Sequence, residues 1–167
     1  MIEFTIHHTF GVDAGTFWDR TFMDPEFNRK LYLEHLGFVD YEVLEDTRAE
    51  NGTLKRRVRG TPKAEAPKVI QKLVGDNTTY VEEGDYDGSR YRFRILSGQL
   101  GDKIQISGEM WVDAKGEDAC ERCVRMSVQV NIFGVGKMVE GFVEKKTRES
   151  YDKGAEFTRS YLANPQA

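Results

Sequence analysis

Phe133-Gly134-Val135-Gly136 opens a charged segment that runs to about Asn164, the longest helical pattern in the chain. At about 100° per residue, Val135, Val139, Phe142, Val143, Phe157 and Tyr161 fall on one side of a helix. The middle of that side is taken by Lys146, Ser150, Lys153 and Gly154, which a fully packed core would not choose. A long terminal helix with apolar ends and a polar or small centre suits a helix laid across a curved sheet, over a cavity.

Working back from it, the period changes from helical to two. Six runs read as strands: Phe38–Ala49, Thr53–Thr61, Thr78–Tyr86, Ser89–Leu96, Lys103–Ala114 and Ala119–Ile132. In the last, Val124, Met126, Val128, Val130 and Ile132 alternate with Arg125, Ser127, Gln129 and Asn131. Asn51-Gly52, Asp87-Gly88 and Lys115-Gly116-Glu117-Asp118 supply hairpin turns. Pro62 to Gly75 interrupts the meander with a short amphipathic turn carrying Val69, Ile70, Leu73 and Val74. Ahead of the meander, Ile2 to Phe10 alternates as a half-buried strand. Asp13 then caps a short helix through Phe17, Trp18 and Phe22, and Asp24-Pro25 starts a second, ended by Gly37. The order is strand, two helices, six strands and a long helix: an α+β fold in which an antiparallel sheet of about seven strands wraps the last helix. With no linker, repeat or low-complexity tract, residues 1–167 read as one domain.

Composition narrows the function classes. Hydrophobic residues make up 39% and charged residues 31%, with both signs mixed along the chain, which is the make-up of a globular protein. A net charge of −4 with no separate basic block gives no footprint for nucleic acid. No stretch approaches the ~18 apolar residues of a spanning helix. Met1-Ile2-Glu3-Phe4 lacks a basic region followed by an apolar run, and two cysteines make no disulfide framework, so a cytoplasmic location is expected.

The element order, Phe10-x-x-Asp13 followed by Phe17-Trp18 and Asp24-Pro25, and the ending Gly136-Lys137-Met138-Val139-Glu140 with Tyr151 and Phe157 resemble the START-like helix-grip superfamily. That superfamily includes lipid-transfer START domains, polyketide cyclases and the birch-pollen-allergen group. Pro67-x-x-Ile70-x-Lys72-Leu73-Val74-Gly75 is similar to a bacterial subgroup with no assigned function. The resemblance implies a cavity between sheet and helix and a small hydrophobic ligand. It does not imply one activity, because the fold hosts carriers, sensors and enzymes.

The residues themselves suggest few reactive sets. Cys120-Glu121-Arg122-Cys123 has redox or metal spacing, but positions three apart on a strand face opposite sides, so no shared metal is expected. Gly134-x-Gly136 lacks the third glycine and βαβ unit of a dinucleotide fingerprint, and is read as a tight turn into the helix. His7 and His8 point oppositely. His8 shares the inner face with Phe4, Ile6 and Phe10 and is either a hydrogen-bonded core histidine or a ligand contact. Arg56, in phase with Leu54 and Val58, either reaches the cavity or lies at the rim. Glu82, Glu83 and Asp85 are read as a solvated strand edge, and His35 as a surface residue.

Ten Phe, seven Tyr and two Trp put many rings into one domain. Alternation assigns a ligand-contacting set of His8, Arg56, Tyr91, Phe93, Ile106, Met110, Met126, Val128, Phe142, Lys146 and Ser150. No metal and no cofactor is expected. The first functional expectation is binding of a lipid-like or other small hydrophobic molecule without chemistry. The second is a cyclase or aromatase in which His8, Arg56 or Tyr91 moves a proton on a polyketide-like substrate.

Overall fold

The alternation beginning at Ile2 builds β1 (Ile2–Phe10), whose Phe4, Ile6 and Phe10 are buried while His7 is exposed. The computed structural model describes residues 1–63, 65–75, 78–98 and 100–164. After β1, the Asp13 carboxylate accepts from the Thr16 N–H at 2.9 Å and starts α1 (Ala14–Arg20). Asp24 caps α2 (Pro25–Arg29) in the same way, with proline at its first turn.

The second helix was expected to continue unbroken to Leu36. It passes instead into a π-helical turn over Lys30–His35. Leu31 and Tyr32 of this wider turn both face the interior space.

The meander follows as β2 (Asp40–Arg48), β3 (Leu54–Thr61), β4 (Tyr80–Tyr86), β5 (Arg90–Ser97), β6 (Ile104–Ala114) and β7 (Cys120–Val130), with α3 (Lys68–Val74) between β3 and β4. In α3, Ile70 is buried, Leu73 packs beside it and Val69 faces solvent; the side chain of Val74 lies outside the described residues. All pairings are antiparallel, in the order β1-β7-β6-β5-β4-β3-β2. The last strand of the meander, β7, thus pairs with the strand at the start of the chain, β1, and β2 lies at the opposite edge of the sheet. The inner face collects Leu54 and Val58 from β3, Tyr91 and Phe93 from β5, and Val124, Met126, Val128 and Val130 from β7.

At the end of β7 the chain reverses into α4 (Gly136–Ala163). A Cβ on Gly136 would lie 2.5 Å from the Val130 carbonyl oxygen, so glycine is what permits this approach. Glu140 locks the corner by accepting from the Val130 N–H at 3.0 Å. At the far end, Arg20 donates to the carbonyls of Leu162 and Tyr161, where a cation meets the negative end of the helix.

The buried stripe of α4 is Val139, Glu140, Gly154, Ala155, Thr158, Tyr161 and Leu162. It lies roughly a quarter of a turn from the side that hydrophobicity alone selects, about 80–90° around the axis. Small residues do the close packing: a Cβ on Gly154 would touch Leu31 Cδ1 at 3.6 Å, and Ala155 seats in a second core with Phe10, Phe17, Cys120 and Leu162. This rotation carries Ser150 out to solvent and leaves Lys146 partly exposed, paired with Glu149 at 3.3 Å.

Candidate functional site

The interior is not covered by α4 alone. A cavity of about 100 Å³ lies between the sheet and the corner formed by α1, α2 and the π turn, and α4 contributes Tyr151 to it. Phe17, Thr21, Phe22, Phe27, Asn28, Leu31 and Tyr32 come from the helical corner, and β2 to β7 supply the rest.

Packing of the corner sets the positions of its groups. The Asn28 amide gathers the carbonyls of Thr21, Phe22 and Asp24, fixing the turn between the two helices. The same Phe22 carbonyl accepts from Arg56 Nη2 at 2.8 Å, and the guanidinium lies 4.0 Å over the Phe22 ring. Asp46, its cross-strand neighbour, is 3.5 Å away. Arg56 is therefore a buried cavity residue and not a rim residue.

Glu82, read from the sequence as solvated, faces this space from β4. Tyr91 donates its hydroxyl proton to Glu82 Oε2 at 2.9 Å. Burial raises the Glu82 carboxyl above its ordinary value, against the Tyr91 hydrogen bond and the Arg56 charge, which pull it down. The tyrosine reaches the carboxyl by lying across Gly84: a Cβ there would be 2.3 Å from its ring. Burial also pushes the Tyr41 and Tyr151 hydroxyls up to about 12, and it raises those of Tyr32 and Tyr80 too. All four line the cavity as neutral phenols.

Arg122 enters from β7, its guanidinium 5.3 Å from the Phe10 ring and 5.0 Å from that of Tyr151. Its Nη2 donates to His8 Nδ1 at 2.9 Å, and His8 Nε2 lies 2.8 Å from Asp152 Oδ1. An arginine can only donate, so Nδ1 carries the lone pair and Nε2–H points at Asp152. Burial lowers the His8 pKa and Arg122 adds to that, while Asp152 opposes it. His8 stands behind Arg122 and is linked to the cavity through it, consistent with the hydrogen-bonded core role. Among the described residues, the Nε atoms of both Arg56 and Arg122 are buried without a hydrogen-bond partner. Two fixed cations with unspent donors in an aromatic-walled space can receive an acidic or carbonyl oxygen.

Of the set read from strand alternation, Arg56, Tyr91, Phe93 and Met110 line the cavity. Val128 is fully buried and Met126 nearly so, both in the main core, and Ile106 and Phe142 pack against that core. Lys146 and Ser150 sit outside on α4. The polar and phenolic residues that reasoning missed include Tyr32, Tyr41, Tyr80, Glu82, Arg122 and Tyr151. Two of these carried a signal. Arg122 is in phase with Val124, Met126 and Val128, and Glu82 is in phase with Tyr80 and Tyr86.

Cys120 and Cys123 separate as expected, Cys120 inward into the second core and Cys123 to the outer face toward His7. Burial, then Glu121 and Asp113, push the Cys123 thiol up to about 12, so it is not a free thiolate nucleophile.

The seven-stranded antiparallel sheet with its long closing helix is the START-like helix-grip fold, as solved structures bear out. The Zhui aromatase/cyclase of a Streptomyces strain superposes with a TM-score of 0.65 at 13% identity, covering 94% of this chain and 93% of that one. A START superfamily protein from Mycobacterium smegmatis gives 0.63 at 15% identity, covering 96% and 98%. Norcoclaurine synthase from Thalictrum flavum, solved with dopamine and hydroxybenzaldehyde, gives 0.63 at 16%, covering 93% and 86%. At such identities the likeness is one of fold. Within that fold, the chain belongs to the family described as protein of unknown function (DUF2505), whose profile matches residues 5–162. No curated protein matches it in sequence. No helix among the described residues is long and apolar enough to cross a membrane.

Proposed function

We propose that this protein binds a small ring-bearing molecule that carries an acidic or carbonyl oxygen, in the cavity between the sheet and the helical corner. The observation that carries the reading is the pair of buried guanidiniums, Arg56 and Arg122, whose Nε donors lack partners among the described residues. Leaving such donors unpaired costs about 1–3 kcal/mol each or more, a cost that a ligand oxygen removes. Phe22, Tyr91 and Phe93 supply flat apolar walls for the rest of the molecule.

Size supports a ring over an acyl chain. The cavity of about 100 Å³ compares with the ~150 Å³ apolar cavity that admits benzene, and falls short of the ~300–1,000 Å³ of sites for larger ligands. Among hydrophobic ligands, a long-chain lipid is therefore the one the geometry favours least. A thermal-shift titration with benzoate, salicylate and palmitate tests this: the first two should raise the Tm of the wild type and not of Arg56→Met or Arg122→Met. Stabilisation by palmitate alone would sink the reading.

A second reading has its own observation. Glu82, with a raised pKa and a hydroxyl partner in Tyr91, is placed to move a proton on whatever Arg56 and Arg122 hold. In that case the protein is an enzyme of the cyclase or condensing type. Conversion of a bound small aromatic β-keto compound by the wild type, lost in Glu82→Gln with binding retained, would favour catalysis over carriage.

A further inference from the structure

The outer face of the sheet, away from the cavity, gathers unlike donor groups from three adjacent strands. His7 on β1 is directly opposite Cys123 on β7 in the strand register. Glu121 lies two residues along β7 on the same face, and Asp113 on β6 is paired with Glu121. The Cys123 Sγ is 3.3 Å from His7 Nδ1, 3.4 Å from Glu121 Oε1 and 3.9 Å from Asp113 Oδ2. His7 Nδ1 is in turn 3.4 Å from Glu121 Oε1.

We propose that His7, Glu121 and Cys123 form a three-ligand site, its fourth position open to water, for a thiophilic divalent cation of the Zn²⁺ class on the outer face of the sheet. The edge lengths fit. A tetrahedral ion with Zn–S of about 2.3 Å and Zn–N or Zn–O of about 2.0–2.1 Å holds its ligand atoms roughly 3.3–3.6 Å apart. The three edges among His7, Glu121 and Cys123 fall at 3.3, 3.4 and 3.4 Å.

Hydrogen-bond arithmetic agrees. Three lone-pair atoms converge, Cys123 Sγ, His7 Nδ1 and Glu121 Oε1, while the only protons available between them are one on sulfur and one on Nδ1. A cation satisfies all three together, binding sulfur as thiolate with loss of its proton to water. A thiolate and an imidazole beside carboxylates select zinc or a similar ion over calcium or magnesium, which prefer all-oxygen sites.

The surroundings have the form such a site uses. Trp111, opposite Cys123 in the register, donates its indole N–H to Asp113 Oδ2 at 3.3 Å and orients that carboxylate. The His7 side chain is 55% exposed and Glu121 24%, so an ion can enter from solvent although Cys123 itself is buried. Cys120 takes no part, being fully buried in the second core on the other face.

The test uses the full chain, first stripped with chelator and reduced, then titrated with Co²⁺ and, by competition with a chromophoric chelator, with Zn²⁺. The expected result is one equivalent of Co²⁺ with a near-ultraviolet thiolate-to-cobalt absorption. Zn²⁺ affinity should fall more than about 100-fold in Cys123→Ser and His7→Ala, and about 10-fold in Trp111→Phe, which frees Asp113. Cys120→Ala should leave both unchanged. His7→Ala alters an exposed side chain, so it keeps the test decisive if Cys123→Ser fails to fold. Absence of the thiolate band in the wild type, equal affinity in His7→Ala, or loss of the band in folded Cys120→Ala would each overturn the assignment.

Discussion

Replacing Gly84 with alanine probes the contact that aims Tyr91 at Glu82. The new methyl would sit 2.3 Å from Cε2 and Cζ of Tyr91 and 2.4 Å from its hydroxyl oxygen, against an optimum of about 3.5–4.0 Å. One of the two groups must move by more than about 1 Å. The tyrosine has little room, since its ring is 4.7 Å from Phe22 and 5.6 Å from Phe93 and its hydroxyl is bonded to Glu82. Overpacking of this kind costs about 1–3 kcal/mol. Gly84 does not have a positive φ, so alanine also recovers about 0.4–1 kcal/mol from the unfolded chain. The net expectation is a loss of about 1–2 kcal/mol, or roughly 2–8 °C in Tm for a chain of this size. Urea unfolding followed by circular dichroism measures it. Repeating the substitution in a Tyr91→Leu background should make it nearly neutral, giving a coupling of about 1 kcal/mol or more. A Gly84→Ala protein as stable as wild type, or a cost that persists unchanged with Tyr91→Leu, would refute this account of how β4 and β5 place the site.

Other substitutions test neighbouring parts of the account. Because the folded Glu82 carboxyl is raised above 4.5, its contribution to stability is present below that pH and is lost as pH rises through the folded value. Glu82→Gln should therefore be more stable than wild type at pH 7 and lose that advantage near pH 4, as urea midpoints at the two pH values will show. His8 has the opposite sign: its folded pKa lies below 6.5 under burial, Arg122 and Arg159, opposed by Asp152, so stability is full above 6.5 and falls as pH drops. Between pH 7 and 5 the wild type should lose more stability than His8→Gln, by the same measurement. Tyr161→Phe removes the hydroxyl that donates to the Asp24 cap at 2.7 Å and should cost about 1 kcal/mol in chemical denaturation.

The fold was legible because its signals are periodic. Alternation in β1 and β7, the Asn51-Gly52 turn and the caps Asp13 and Asp24 each act locally, and the structure keeps all of them. The site was less legible because it is made across strands. Glu82 looks like one more surface acid until Gly84 allows Tyr91 to lie over it. Arg122 was hidden inside the Cys-x-x-Cys spacing, although its phase with Val124 points it inward. The face of α4 was misjudged because size and polarity were ranked ahead of fit. Gly154, Ala155 and Thr158 pack closest, while Ser150 turns to solvent and Lys146 to Glu149. The donor set around Cys123 follows the same lesson, since its partners are neighbours by strand register and not by spacing along the chain.

The most direct measurement is native mass spectrometry of the wild type and an Arg56→Met/Arg122→Met variant, each purified gently from the native host, with the released molecule identified by fragmentation. The account predicts a defined small molecule, bearing a ring and an acidic or carbonyl oxygen, on the wild type and not on the folded variant. The same molecule on both proteins at equal occupancy, or an acyl-chain lipid on the wild type, would contradict it.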